Sequence, residues 1–388
     1  MKITLLISLF LIFYTFFGYG ILLFFLVKLR TILKGKRPIP DNGGNWPTLT
    51  LIVSAYNEAD CIEEKITNTL SLSYPADKIS YLFVTDGSTD NTPGIITRHP
   101  QIKLMHRPER KGKIAAIDRA MHEVNSEIVI FTDANTFLNK EALMNICRHF
   151  HDPKVGAVSG EKRVQIEDVS DATAGEGFYW KYESKLKTWD SELYSVVGAA
   201  GELFSVRTKL FESIPPDTIL DDFMISMLIA EKGYRIIYES AAYAMETGSE
   251  NISEELKRKI RIAAGGIQSI VRLKSLLNPF HNFVLTFQYV SHRVLRWTIT
   301  PFLMVLALVL NAIIALLTNE TIYVMLFSAQ VLFYTMALLG WIMEKRQMKI
   351  KIFFIPYYFC MMNYAVAAGI RRYFLKQQSA VWEKSKRK

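Results

Sequence analysis

An α/β domain set between hydrophobic segments is the architecture to which three features of the 388-residue chain point. They are an almost uncharged run at residues 3–27, alternating β-rich and helical stretches from residue 49, and further long apolar runs after residue 298. Half of the residues are hydrophobic and 21% are charged, which suits neither a disordered chain nor a bundle made only of membrane helices.

Residues 3–27 are long enough to cross about 30 Å of hydrocarbon as a helix. Only Lys2 precedes the run as a basic residue and no A-x-A type of cleavage site follows, so it reads as an uncleaved anchor rather than a signal peptide. Lys28, Arg30, Lys34, Lys36 and Arg37 follow it, and Lys384, Lys386, Arg387 and Lys388 end the chain. Basic clusters beside apolar runs assign the net charge of +9 to an anionic membrane surface and not to nucleic acid. The first cluster also puts residues 38 to about 280 in the cytosol, so the expected location is the cell inner (plasma) membrane, multi-pass, with a cytoplasmic catalytic domain.

The proline- and glycine-rich RPIPDNGGNWP separates anchor from domain. LTLIVSAY reads as a buried strand, 59–70 as a helix, YLFVTD as a second strand, 113–124 as a helix and EIVIFTD as a third strand. Open α/β sheets bind ligands at the carboxyl ends of their strands, where Asn57, Asp86 and Asp133 fall. No G-x-G-x-x-G follows the first strand and no G-x-x-x-x-G-K-[ST] occurs, which argues against dinucleotide and P-loop chemistry. Cys61, Cys147 and Cys360 have neither a metal-binding spacing nor an even number for disulfides, consistent with a reducing cytosol.

Residues 298–317 and 322–343 read as a helical hairpin with its polar tip outside. Residues 352–370 fit either a fourth span, which would put the basic tail outside, or a re-entrant or interfacial helix. Residues 280–297 carry His281, His292, Arg293 and Arg296 among aromatics and read as an interfacial helix, with both histidines at lipid headgroups rather than on a metal. The expected division is an anchor with its basic flank at 1–37, a cytoplasmic catalytic domain at 38–279, and interfacial and transmembrane helices with a basic tail at 280–388.

Chemistry-bearing residues gather in short motifs. Asp133 and Asn135 in FTDANT put two oxygen ligands on one turn; Mg²⁺ is commonly held by one or two carboxylates plus substrate phosphate oxygens, although a strand-end turn explains the pair equally. Asp86 in VTDGSTDNT can accept hydrogen bonds from a base or sugar, with Gly87 permitting close approach, although as a lone turn Asp-Gly reads equally as structural. Lys113 follows Gly112 at a helix start, a suitable point charge for a diphosphate. Asp221 and Asp222 open what reads as an amphipathic helix in TILDDFMISM, and a carboxylate there can take the proton of an acceptor hydroxyl as it attacks an anomeric carbon.

The segments VSAYNEAD, VTDGSTDNT, RKGKIAA, FTDAN, GAAGELFSVR and LDDFMISMLIAEKGYRIIY, in this order, resemble the family 2 glycosyltransferases, which have the GT-A fold. The hydrophobic flanks resemble the membrane-embedded branch that includes cellulose, chitin, hyaluronan and poly-N-acetylglucosamine synthases, and the likeness covers about residues 48 to 275. It implies that Ala55, Tyr56, Asn57 and Glu58 frame the nucleotide base, that Asp86 contacts base or ribose, and that Lys113 lies near the donor phosphates. It further implies that Asp133 and Asn135 form the metal motif for Mg²⁺ or Mn²⁺, with asparagine in the last place, and that Asp222 is the catalytic base, Asp221 standing where the family has glutamate. Residues 198–204, with Gly201 and Glu202, match the acceptor-side loop, and Asp221 lies on the same side.

Arg261 matches the arginine of the processive enzymes' Gln-x-x-Arg-Trp and is expected to face the diphosphate, but Ile262 replaces the tryptophan that would stack on an acceptor sugar. Trp382 matches a tail residue near the active-site mouth, as a gate or an interface anchor. The expected function is inverting, metal-dependent transfer from a nucleotide-diphosphate sugar, a UDP-sugar for preference, to a lipid-linked or membrane-proximal acceptor in cell-surface glycan synthesis. Processive polysaccharide synthesis, and a non-catalytic nucleotide-sugar sensor, are the alternatives. The expected partners are the donor, a glycan or lipid-linked acceptor and membrane lipids.

Overall fold

The computed structural model describes residues 1–38, 44–165, 171–247, 252–346, 348 and 350–377; residues 39–43 of the linker and the tail with Trp382 lie outside these. Helix α1 (Lys2–Lys34) leads into an eight-stranded mixed sheet of order β3-β2-β1-β4-β7-β6-β8-β5. Strand β1 (Leu49–Ala55) is buried at every position, as a central parallel strand covered by helices on both faces requires. It pairs in parallel with β2 (Ile79–Asp86) and β4 (Ile128–Asp133), setting Ala55 opposite Thr85 and Ser54 opposite Asp133. Asp86 and Asp133 therefore flank the carboxyl end of β1.

Helices α2 (Ile62–Leu70), α3 (Thr92–Ile96) and α4 (Lys113–Met121) belong to this parallel half, with β3 (Ile102–Arg107) at its edge. The other half holds β5 (Phe137–Leu138), helix α5 (Ala142–Cys147), β6 (Val155–Gln165), helix α6 (Asp171–Leu193), β7 (Leu203–Arg207) and β8 (Arg235–Thr247). Strand β7 runs antiparallel between β4 and β6 and so turns a parallel sheet into a mixed one.

Helix α7 (Asp221–Glu231) corrects one expectation: it is not amphipathic. Phe223, Met224, Ile225, Ser226, Met227, Ile229 and Ala230 are all buried, so the helix is enclosed on nearly every side and only its first turn reaches the crevice. Helix α8 (Ile252–Arg272), by contrast, is strongly amphipathic.

Among the described residues, four helices are long and apolar enough to cross a membrane: α1, α10 (Thr300–Thr318), α11 (Thr321–Lys345) and α12 (Lys351–Phe374). They carry most of the large exposed apolar side chains among the described residues, Phe10, Phe17, Phe25, Val305, Leu316, Met325 and Leu332 among them. Residues 352–370 lie inside α12, which packs along α8. Phe354, Tyr358 and Met361 meet Ile252 and Leu256 at one end, and at the other a Cβ on Gly369 would stand 2.5 Å from that of Ala263.

Helix α9 (Phe283–Tyr289) runs on through Val290–Val294 and Leu295–Trp297, and here His292 requires a second correction. It is fully buried and does not meet headgroups: Nδ1 lies 2.5 Å from Asp190 Oδ2 and Nε2 3.1 Å from Glu183 Oε1, both on α6. His281 is exposed.

Candidate active site

A small, open cleft lies at the carboxyl edge of β1 and β2, lined by Ser54, Ala55, Tyr56, Val84, Asp86, Arg110, Gly112, Lys113 and Ala116. The Arg110 guanidinium stacks 3.8 Å from the centre of the Tyr56 ring. Asp86 is 6% exposed; its Oδ2 accepts from the backbone N–H groups of Lys111 (2.8 Å) and Gly112 (2.6 Å), while Oδ1 has no hydrogen-bond partner and faces Arg119 at 3.7 Å. Gly87 has φ +72°, and a Cβ there would fall 2.6 Å from that of Arg110, so the glycine admits the neighbouring loop.

Asn57 and Glu58 are not among the lining residues. Asn57, at φ 52°, accepts from Thr89 N (2.8 Å) through its Oδ1, and the Glu58 side chain is buried. Asp90 completes the junction, accepting from Thr92 N and Ala59 N at 3.0 Å each. These residues knit the loop after β1 to the loop after β2 and thereby shape the cleft from behind.

Next to the cleft lies a compact charge cluster. Lys113 Nζ donates to Asp133 Oδ1 at 2.8 Å and stands 3.6 Å from Asp221 Oδ2, an oxygen that has no hydrogen bond of its own. Burial works against the charge on Lys113, but Asp133 and then Asp221 outweigh it and raise its pKa above the usual lysine value. Burial, and next the Asp221 carboxylate beside it, push the Asp222 carboxyl up to about 7, with Lys113 acting in the opposite sense. Residues β4, α4 and α7 thus bring Asp133, Lys113 and the Asp221–Asp222 pair together from three separate parts of the chain.

The loop before β7 closes on Asp222. Gly198, at φ +84°, leaves no room for a Cβ, which would sit 2.2 Å from the Phe223 ring, and a Cβ on Gly201 would stand 3.2 Å from Asp222 Oδ2. Glu202 turns away: Lys162 Nζ bonds its Oε1 at 2.6 Å and also pairs with Glu246. Burial alone would raise the Glu202 pKa, but Lys162 holds it well below the carboxylate range. Arg258 on α8 reaches Glu246 at 3.7 Å, and Gly265, farther along that helix, meets Leu220. Arg261 lies between them on the same helical face, its Nε buried without a hydrogen-bond partner.

Arg110, Arg119, Lys162, Arg258 and the buried Lys65 did not emerge as site residues from the sequence. Arg110 opens the RKGKIAA motif and Arg258 stands where the processive enzymes have the glutamine of Gln-x-x-Arg-Trp; Arg119, Lys162 and Lys65 become visible only through partners distant in the chain. Among the described residues no three His, Cys, Asp or Glu side chains converge as a metal cage. The Asp133 carboxylate and the Asn135 amide are hard oxygen donors, a set that fits a divalent cation whose remaining ligands come from a bound diphosphate.

Residues 50–214 match the family model "Glycosyl transferase family 2". Poly-beta-1,6-N-acetyl-D-glucosamine synthase of Staphylococcus aureus is 27% identical over 264 residues, which cover 65% of this chain and 62% of the synthase. That of Staphylococcus epidermidis is 26% identical over 235 residues, covering 58% of this chain and 56% of the relative. The chain therefore spans only about three fifths of the length of these relatives. A mannosyltransferase from Pyrobaculum calidifontis, solved with GDP-Man and Mn²⁺, superposes with a TM-score of 0.72 at 25% identity over 97% of this chain and 100% of that one. The mixed sheet with its flanking helices is of the GT-A type.

Proposed function

We propose, from the glycosyl transferase family 2 domain that the chain carries over residues 50–214, that the protein is an inverting glycosyltransferase acting from a nucleoside-diphosphate sugar on a lipid-linked or membrane-proximal acceptor. The observation that carries this reading is the Asp222 carboxyl, poised at about 7 in one cluster with Lys113 and Asp133 beside the cleft. A base of that strength takes the proton of the acceptor hydroxyl as its oxygen bonds to the anomeric carbon; the bond from that carbon to the diphosphate breaks and the nucleoside diphosphate leaves with the electron pair. One displacement inverts the anomeric centre.

Asp86 Oδ1 is suited to a base or ribose hydroxyl, Tyr56 and Arg110 to the nucleotide's plane, and the Lys113 ammonium to the diphosphate. Asp133 and Asn135 would hold Mg²⁺ or Mn²⁺, which supplies neutralisation of the charge on the leaving diphosphate. With residues 38–279 as the cytoplasmic domain and the flanking helices in the membrane, the cleft has access to both a soluble donor and a lipid-borne acceptor.

The test is transfer from radiolabelled UDP and GDP sugars by the full chain in lipid, with Mn²⁺, with Mg²⁺ and with chelator. Metal-dependent release of one nucleotide with sugar passing to extracted lipid or glycan supports the reading. A UDP sugar is the expected donor, and the GDP-Man bound by the structural relative makes GDP-mannose the other arm. Folded protein without turnover of any donor overturns the reading. Similarity to the staphylococcal synthases favours a second reading, processive polymerisation, and product length separates the two; Ile262 in place of a stacking tryptophan supports short products.

A further inference from the structure

Lys65 lies on the buried face of α2 with Ile62, Ile66 and Thr69, where the helical pattern calls for an apolar side chain. It is 0% exposed. Burying an ammonium is unfavourable unless specific partners compensate, and its hydrogen-bond partners belong to the segment that carries Asp133 and Asn135. Nζ donates to the Thr136 carbonyl at 2.6 Å and to Thr132 Oγ1 at 3.2 Å, gripping the chain just before Asp133 and just after Asn135. Thr136 Oγ1 donates back to the Asp133 carbonyl at 3.0 Å, closing the turn. Thr132 Oγ1, while accepting from Lys65, donates to the Glu202 carbonyl at 2.9 Å. Glu202 follows Gly201, the residue that abuts Asp222.

We propose that Lys65 is a positioning residue that holds the turn of Asp133 and Asn135 in register with the acceptor-side loop at Asp222, so that donor and acceptor meet. This rests on the glycosyl-transfer reading above. The geometry gives the ammonium two grips on the donor side and, through one hydroxyl, one on the acceptor side. Burial pulls its pKa down to about 7, with Asp133 as the largest charge acting the other way, so it is the hydrogen bonds to Thr132 and Thr136, and not the charge, that hold the turn. A loosened hub lets donor and acceptor drift apart. Water then competes better for the anomeric carbon, because a misplaced acceptor hydroxyl loses the rate advantage of orientation, which a water arriving from solvent does not depend on.

The experiment compares full-length wild type, Lys65→Met and Thr132→Val in lipid, each read for transfer, for donor hydrolysis and for thermal melting. Lys65→Met removes the charge at similar length; Thr132→Val removes only the relay hydroxyl, and keeps the question open to refutation if the first variant does not fold. Transfer is expected to fall about tenfold or more, and the ratio of hydrolysis to transfer to rise at least about threefold, in each variant that folds. A merely structural role lowers both rates together. Variants that fold and keep the wild-type ratio overturn this inference alone, whereas wild type without turnover overturns the glycosyl-transfer reading and the inference with it.

Discussion

Two buried clusters of charge both touch the loop at residues 197–202, one where Arg293 Nε donates to the Val197 carbonyl at 3.5 Å and the other where Asp222 abuts Gly201, and they are built on opposite rules. Where α6 and α9 meet, both oxygens of Glu183 and both of Asp190 are used: Arg293 (2.9 Å), Arg296 (3.0 Å) and His292 bond Glu183, while His292, Gln288 (2.9 Å) and Tyr19 bond Asp190. Burial opposes the charge on Glu183, but Arg293 and His292 hold its pKa well below the usual range. Around Lys113, by contrast, Asp221 Oδ2 and Asp86 Oδ1 lack hydrogen bonds, and Asp222 is raised rather than lowered. A joint between helices gains from pairing every charge. A substrate site keeps capacity in reserve, and perturbed carboxyls gather there.

The largest effect expected of this contrast is at Asp222. Asp222→Asn should lower transfer about 10²–10⁴-fold, the range for losing a general base, while leaving donor binding intact, as steady-state rates and nucleotide titration would report. Its melting temperature should not fall. The folded pKa of Asp222 lies above the unfolded value, so the ionised form opposes folding as pH rises through about 7, and the amide removes that opposition. Equal activity of the variant would remove Asp222 from the mechanism.

His292→Leu should do the reverse. Losing one member of a buried, hydrogen-bonded charge group costs about 3–5 kcal/mol of stability, seen as a lower melting temperature, with turnover per folded molecule retained. If the variant stayed as stable as wild type but turned over slowly, the two clusters would be a single functional unit and the contrast would collapse.

The difference between the clusters also marks how much could be read from the sequence. Asp86, Lys113 and Asp133 are legible because each stands at the end of the strand, or the start of the helix, that positions it. His292 is not legible because its partners Asp190 and Glu183 lie 102 and 109 positions earlier in the chain, and the local sequence shows only its aromatic and basic neighbours. The same holds for Lys162 and Glu202, which join across 40 positions, and for Lys65, reached by Thr136 from 71 positions away. Helix α7 looked amphipathic because charged residues flank a run that is itself apolar around the whole circumference. Local motifs carry the cleft at the ends of β1, β2 and β4; long-range pairing carries the loop at residues 197–202 and the joint between α6 and α9.

A smaller perturbation sharpens the contrast within the site. Gly201→Ala adds a methyl 3.2 Å from Asp222 Oδ2, tight enough to shift the carboxylate by a few tenths of an ångström without unfolding the loop. Transfer should fall about tenfold with donor KM unchanged, because the displaced group acts on the acceptor. A rise in donor KM instead would put Asp222 on the nucleotide side.

The finest test is the pH profile of Asp221→Asn. Asp221 is, after burial, the main influence raising the Asp222 pKa, so its neutralisation should lower that pKa while burial keeps it above the ordinary aspartate value. Because a general base must be ionised to act, the rate of wild type should rise with pH through about 7, and in the variant this rise should move to lower pH. Above pH 8 the two profiles should be flat, with any constant difference reporting the lost charge beside Lys113. Near pH 6 the variant should retain a larger share of its own maximum. A limb that stays in place would mean that another group titrates, and that the like-charge pair at the start of α7 serves the site through its field on Lys113 rather than through the base.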